Sequence, residues 1–148
     1  MAQQLTAPQS EPMVRMEHID KTFNPSSVNE VVLFQDFNLQ IQKGSFVAVV
    51  GSNGSGKTTI LNLLCGSLPA DSGKIFLKNR EITKMKEHRR SKFIGRVFQN
   101  PAAGTCPALT ILENMALADN KGGSFLLQPG VNRRRTAHYQ EQLAQLHM

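Results

Sequence analysis

The fold of this chain is restricted above all by a glycine-rich run with the pattern G-x-x-x-x-G-K-[ST]. The run reads Gly51-Ser52-Asn53-Gly54-Ser55-Gly56-Lys57-Thr58. A continuous apolar run, Phe46–Val50, precedes it and predicts a strand buried on both faces. An apolar stripe over Lys57–Leu64 follows and predicts a helix, which Gly66 and Pro69 would end. Strand, glycine loop and helix in this order indicate a phosphate-binding loop.

Each residue type in the loop has a chemical reason to be there. The glycines allow a tight turn whose N–H groups approach phosphate oxygens, and the positive end of the following helix points the same way. Lys57 would supply a point charge to the β- and γ-phosphates, and the Thr58 hydroxyl would coordinate Mg²⁺. Thr59 can add a hydroxyl or an N–H to the α-phosphate. The alternative is a glycine turn with no ligand, but a chance match to the whole motif is on the order of one per cent or less in a chain of this length.

Composition narrows the class of protein. The 148 residues predict a single domain, and 40% hydrophobic with 19% charged residues is too apolar for a disordered chain. The longest apolar run is far shorter than the ~20 residues of a membrane helix. Residues 1–12 are rich in Gln, Pro and Ser, which predicts a flexible tail without a signal peptide. Cys65 and Cys106 form no disulfide or metal-binding pattern. We therefore expect a cytosolic protein without a metal centre of its own or a haem.

The positive charge is concentrated in one segment. The net charge is +6, and residues 74–96 hold nine of the 17 basic residues against only Glu81 and Glu87. A basic patch can bind nucleic acid. This one lacks a recognition-helix or RNA-binding signature, so a solvated face or a docking surface near phosphates is the preferred interpretation. We expect no nucleic-acid partner.

Hydrophobic periodicity predicts the remaining elements. Further strands are expected at Met13–Asp20, Val31–Ile41, Lys74–Leu77 and Ile94–Phe98. Helices are expected at Lys84–Lys92, from the N-cap Thr110 to Ala118, and within Val131–Met148, where Tyr139, Leu143 and Leu146 share a face. Lys121–Ser124 is expected to be a loop.

Several runs of residues, in the loop and beyond it, resemble characteristic runs of one protein family. Val49–Leu61 resembles the Walker A run of the nucleotide-binding subunit of ABC transporters. Asp71–Ile75 is similar to the turn and strand that follow it, Gly95–Pro101 to the Q-loop, and Leu109–Asn114 to the next helix start. The resemblance extends in order over residues 13–148, and Lys84–Asn100 is most similar to uptake systems.

The resemblance implies a fold and a set of roles. The fold would be α/β: a P-loop NTPase core, with a parallel sheet and flanking helices, plus an N-terminal antiparallel β-subdomain. ATP and Mg²⁺ would be the ligands, with Phe23 stacking on adenine and Gln99 contacting Mg²⁺ and water. Asn100–Thr110 would contact a membrane permease, and a second ATP-binding subunit would join if the full domain is present. The subunit would lie on the cytoplasmic face of the membrane. A core position for Phe23, an ordinary strand-end Gln99 and an exposed loop at Asn100–Thr110 are the alternatives.

Other family motifs are missing from these 148 residues. There is no Leu-Ser-Gly-Gly-Gln signature, no apolar strand ending in Asp-Glu, and no histidine in the switch context. Two runs are candidates for that Asp-Glu strand end. Asp119 follows an apolar run, but Asn120 stands where the catalytic Glu would be. Val31–Asp36 is also apolar and ends in Asp, but it precedes the glycine loop instead of following it. The chain is therefore expected to be a partial ABC-type domain, with the C-terminal part of the domain absent, and to hydrolyse ATP negligibly by itself.

Three functions remain open at this point. The first is the ATP-binding subunit of an ABC transporter that couples ATP to solute transport, in the uptake direction. The second is a non-catalytic nucleotide-binding or docking module. The third is a small P-loop kinase, for which Arg133–Arg135 is the one candidate for an arginine-rich lid.

Overall fold

The computed structural model describes residues 11–120 and 131–146. The chain divides into two compact units, Met1–Arg90 and Ser91–Met148. The first contains β1 (Pro12–Phe23), β2 (Val31–Gln42), α1 (Lys57–Cys65), β3 (Ser72–Leu77), β4 (Arg80–Glu81) and the short α2 (Glu87–Arg90). The second contains a 3₁₀ turn (Pro101–Ala103), α3 (Ile111–Asp119) and α4 (Arg133–Gln145). Residues 1–10 of the expected tail and the expected loop at Lys121–Ser124 lie outside the described residues.

The first unit is built on an antiparallel sheet with the strand order β2-β1-β3-β4. This confirms the N-terminal antiparallel subdomain expected from the sequence. Its core contains Val14, Met16 and Ile19 of β1, together with Ile75 and Ile82, all of them buried.

A bulge in β1 changes which of its side chains face inward. Val14 and Met16 are buried with a period of two, but after the bulge at His18 the buried positions become Ile19 and Lys21. His18 has a φ of 51° and the register against β2 shifts on both sides of Ile19. An extra residue in one strand reverses the inward and outward faces beyond it. The bulge therefore turns Lys21 toward the interior.

Helix α1 begins and ends where the sequence predicts. Its N-cap Gly56 has a φ of 89°, and a Cβ there would lie 2.8 Å from Phe34 Cζ of β2, so no larger residue fits. Its C-cap Gly66 is left-handed and donates its N–H to the Asn62 carbonyl. Helix α3 likewise begins at a capping box formed by Thr110 and Glu113.

Two expected strands are wrong. Phe46–Val50 and Ile94–Phe98 are irregular, and Phe46 and Val50 are 95% and 91% exposed. A parallel strand exists only when neighbouring strands satisfy its N–H and C=O groups. Among residues 11–120 and 131–146 no strand pairs with either segment. The expected helix Lys84–Lys92 is also shorter, being confined to α2.

Candidate functional site

The glycine loop and the first turn of α1 form the candidate site in the first unit. Residues 51–55 are exposed, and the loop is tightened by a bond from the Ser55 N–H to the Ser52 carbonyl. Gly54 and Gly56 both have a positive φ, of 82° and 89°. Left-handed backbone at glycine positions is typical of loops whose N–H groups bind an anion.

Lys57 folds its side chain back over the loop. Its Nζ donates to the carbonyls of Gly51 at 2.8 Å and Ser52 at 2.6 Å. The ammonium therefore lies against the carbonyl groups of the loop. The loop and its lysine, predicted from the motif, are brought together by the structure.

The start of α1 is electrostatically suited to an anion. No side chain caps the helix, and no acidic residue lies in its first turn. The partial positive charge of the helix N-terminus is therefore not neutralised locally. Thr58 in the same turn is exposed and Thr59 is half-buried. The Thr58 hydroxyl is thus accessible to a ligand.

Phe23 lies at the end of β1 in the same unit and is half-buried. The Lys21 ammonium lies 5.7 Å from the centre of its ring. Lys21 is itself 7% exposed and donates to Asp71 Oδ1 at 2.6 Å. The pKa of the Asp71 carboxyl is held below its ordinary value, first by this bond and then by the Thr22 N–H. Sequence reasoning missed this ion pair, because the bulge that turns Lys21 inward leaves no signal in the hydrophobic pattern.

Gln99 and Asn100–Thr110 belong to the second unit. Gln99 is exposed in an irregular segment. The loop after it is ordered by side-chain amides: Asn100 Oδ1 accepts from the Ala102 N–H at 3.0 Å, and Asn114 Oδ1 accepts from the Cys106 N–H at 2.8 Å. The Asn114 amide also donates to the carbonyls of Cys106, Leu109 and Thr110.

An open, largely apolar cavity of about 460 Å³ lies between this loop and α3. Pro107, Leu109, Ile111 and Met115 provide its apolar lining. Of these four residues, Ile111 is 57% exposed to solvent. The predicted contact region is therefore an ordered loop beside an apolar depression.

The side chain of Asp119 connects the end of α3 to α4. Asp119 ends α3, a helix, and its Oδ2 accepts from the Tyr139 hydroxyl of α4 at 2.9 Å. Burial first, and then this bond, raises the pKa of Tyr139. Arg135 Nε lies 3.9 Å from the same oxygen, in the first turn of α4. Of the shared face expected on α4, Tyr139 is buried, Leu143 is half-buried and Leu146 is exposed.

Within residues 11–120 and 131–146, no helix is long and apolar enough to span a bilayer. In the same part of the chain, no three His, Cys, Asp or Glu side chains are grouped so that they could hold a metal ion.

Comparison with known proteins gives a consistent result. A family model described as "ABC transporter" matches residues 34–148. A tyrosine transport ATP-binding protein of Clostridioides difficile (strain R20291) is 39% identical over 110 residues, which are 74% of this chain and 44% of that protein. The spermidine/putrescine import ATP-binding protein PotA of Haemophilus influenzae (strain 86-028NP) is 38% identical over 74% of this chain and 27% of that protein. The chain thus spans less than half the length of these relatives.

Solved structures agree with these relatives. The dimeric ATP-binding cassette MJ0796, in a post-hydrolysis state with ADP and Pi, matches with a TM-score of 0.69 and 27% identity. The match covers 87% of this chain and 55% of that one. A nucleotide-free ATP-binding cassette from an ABC transporter matches with a TM-score of 0.61 and 27% identity, over 86% of this chain and 46% of that one. The expected α/β class, with an N-terminal antiparallel sheet ahead of the P-loop, is that of these cassettes.

Proposed function

Because this chain belongs to the ABC transporter family, we propose that it binds ATP through Gly51–Thr59 as part of a transporter's ATP-binding subunit. One observation carries the proposal: an uncapped helix start without acidic residues adjoins an exposed glycine loop over which the Lys57 ammonium is held. A triphosphate is the biological ligand with the charge and the oxygen atoms that such a site recognises. Transport of a solute into the cell is supported by the relatives whose names describe tyrosine transport and spermidine/putrescine import.

Mg²⁺ belongs to the same proposal. Thr58 has an exposed hydroxyl in the first turn of α1, and Mg²⁺ is usually held by few protein oxygens together with substrate phosphates. Thr58 would hold the ion there. The contact of Gln99 with Mg²⁺ rests on the family resemblance, since Gln99 belongs to the second unit. Bound Mg²⁺ would neutralise charge on the phosphates. Lys57 would hold the phosphates, and Phe23 would offer a flat face to adenine.

The partners are also proposed. Asn100–Thr110, an ordered loop beside the apolar cavity, would contact a membrane permease, and the subunit would therefore lie at the cytoplasmic face of the membrane. A second ATP-binding subunit would complete the assembly, as the dimeric form of MJ0796 suggests. These 148 residues contain no Asp-Glu strand end to polarise water, so we expect them to bind ATP with negligible turnover.

The test is a titration of the 148-residue chain with a fluorescent ATP analogue and Mg²⁺. Lys57→Ala should weaken binding at least about tenfold, because it removes a charge-assisted contact to phosphate. Lys43→Ala, which removes an exposed lysine outside the loop, should bind as the unsubstituted chain does. Equal affinity of all three proteins would contradict the proposal. Turnover of ATP well above background would contradict the non-hydrolysing part of it alone.

A further inference from the structure

The end of β1 is fixed by one carboxylate that comes from the turn before β3. Asp71 Oδ1 accepts from Lys21 Nζ at 2.6 Å and Asp71 Oδ2 accepts from the Thr22 N–H at 2.6 Å. The Asp71 N–H donates in return to the Asp20 carbonyl at 3.0 Å. Three consecutive residues of β1, immediately before Phe23, are thus held by a single residue some fifty positions away in the chain.

The same carboxylate reaches the Phe23 ring through Lys21. The pairing of β1 with β2 shifts register between Lys21 and Thr22, but the Lys21 and Phe23 side chains still meet at the end of β1. The Lys21 ammonium lies 5.7 Å from the ring centre, within reach of a cation–π contact. Since this ammonium lies over one face of the ring, a base would stack on the opposite face.

The buried Lys21 ammonium depends on its acidic partner. Lys21 is 7% exposed, and a buried ammonium is tolerated only when it is paired and hydrogen-bonded. Asp71 supplies that pairing while remaining partly exposed itself. Removal of the carboxylate would leave the ammonium without its acceptor. The end of β1 would then be held by its pairing with β2 alone, and the Phe23 ring would be less firmly placed.

We propose that Asp71 and Lys21 are positioning residues that hold the Phe23 ring as a platform for a purine base. The inference rests on the proposed function, since it requires that this site bind a nucleotide. It assigns the selectivity for a nucleoside triphosphate over a bare triphosphate to this pair. Lys57 and the glycine loop, by contrast, bind both ligands through the phosphates they share.

The experiment measures the affinities for MgATP and for Mg-tripolyphosphate by calorimetry on the 148-residue chain. Asp71→Asn and Lys21→Met should each lower the affinity for MgATP about fivefold, which is comparable with the loss of a stacked base. Neither variant should change the affinity for tripolyphosphate by more than about twofold. Asn at position 71 can still accept from the Thr22 N–H, so the strand end keeps one of its bonds. Asp36→Asn, which removes a carboxylate paired with exposed His18 on the same sheet, is the control and should change neither affinity.

A second readout follows the ring itself. The chain contains no tryptophan, so Phe23→Trp introduces the only indole. MgATP should quench its emission and tripolyphosphate should not. In this background, Asp71→Asn should lower the fluorescence anisotropy of the indole before any ligand is added, whereas Asp36→Asn should not.

Each outcome decides between the hypotheses. If Asp71→Asn and Lys21→Met lower the affinities for MgATP and tripolyphosphate equally, or change neither affinity, the positioning role is wrong while nucleotide binding stands. An unchanged anisotropy overturns it as well. If the unsubstituted chain binds neither MgATP nor tripolyphosphate, the proposed function itself fails, and the platform fails with it.

Discussion

At the scale of single residues, Arg90 joins the end of α1 to the segment that follows β4. It is 3% exposed, and its guanidinium donates to the carbonyls of Leu63 and Leu64 at 2.7 and 3.0 Å. It also donates to the carbonyls of Thr83 and Met85. The last turn of a helix leaves such carbonyls unpaired, and α1 has no basic residue of its own there. Arg90 therefore caps α1 from a distant part of the chain.

Replacement of Arg90 should destabilise the first unit strongly. Arg90→Met removes four hydrogen bonds from a charged donor and leaves buried carbonyls without partners, which we expect to cost about 2–4 kcal/mol of unfolding free energy. Arg89→Met, at an exposed neighbouring position of α2, should cost less than about 0.5 kcal/mol. Urea unfolding followed by circular dichroism gives both values. A loss for Arg90→Met no larger than that for Arg89→Met would show that the cap does not stabilise the unit.

The sequence could identify neither Arg90 nor Lys21 as interior residues. Arg90 lies in a basic run that is otherwise mainly exposed, and its acceptors are backbone carbonyls, which have the same chemistry in every residue. The side chain of Lys21 is turned inward by the bulge at His18, and no residue type in the sequence predicts that bulge. The phosphate loop, by contrast, was predictable because its glycines, Lys57 and Thr58 are each required by local chemistry.

At the scale of elements, local signals predicted helices well and strands incompletely. Gly66 ends α1, and the reciprocal bonds of Thr110 and Glu113 begin α3, because each is a contact within a few residues. The segment Phe46–Val50 has the composition of a buried strand, but a strand also needs partners remote in sequence. None of the described strands pairs with it. The strands β1, β2 and β3, by contrast, pair with one another in an antiparallel sheet.

Substitutions in this segment should therefore improve solubility without loss of stability. Phe46 and Val50 are almost fully exposed, so Phe46→Ser and Val50→Ser should each change the unfolding free energy by less than about 0.5 kcal/mol. Both should reduce self-association, because exposed apolar segments with unpaired backbone groups promote it. Ile75→Ala, at a position 1% exposed, should instead cost about 2–5 kcal/mol.

Analytical ultracentrifugation at several concentrations, together with urea unfolding, distinguishes the two effects. A marked loss of stability in Phe46→Ser would mean that this segment is buried in solution. If neither variant reduces self-association, surfaces other than Phe46–Val50 cause the self-association.

At the scale of the whole molecule, two carboxylates join the end of β1 to the start of β3. Asp20 accepts from the Ser72 hydroxyl and from the Asp36 N–H, and these bonds, in that order, lower the pKa of its carboxyl. The Lys21 bond, followed by the Thr22 N–H, lowers the pKa of Asp71. Both groups therefore hold their protons less tightly in the folded chain than in the unfolded chain.

The consequence is a stability that falls on acidification. A carboxyl whose folded pKa is lowered contributes fully above its unfolded pKa, near 4, and loses its contribution as the pH falls through the lower folded value. The double variant Asp20→Asn/Asp71→Asn should therefore be less stable than the unsubstituted chain at pH 7, and the difference should narrow steadily below about pH 4. Urea midpoints measured from pH 7 to pH 2.5 give the two curves. Parallel curves over that range would show that these carboxylates do not link folding to proton binding.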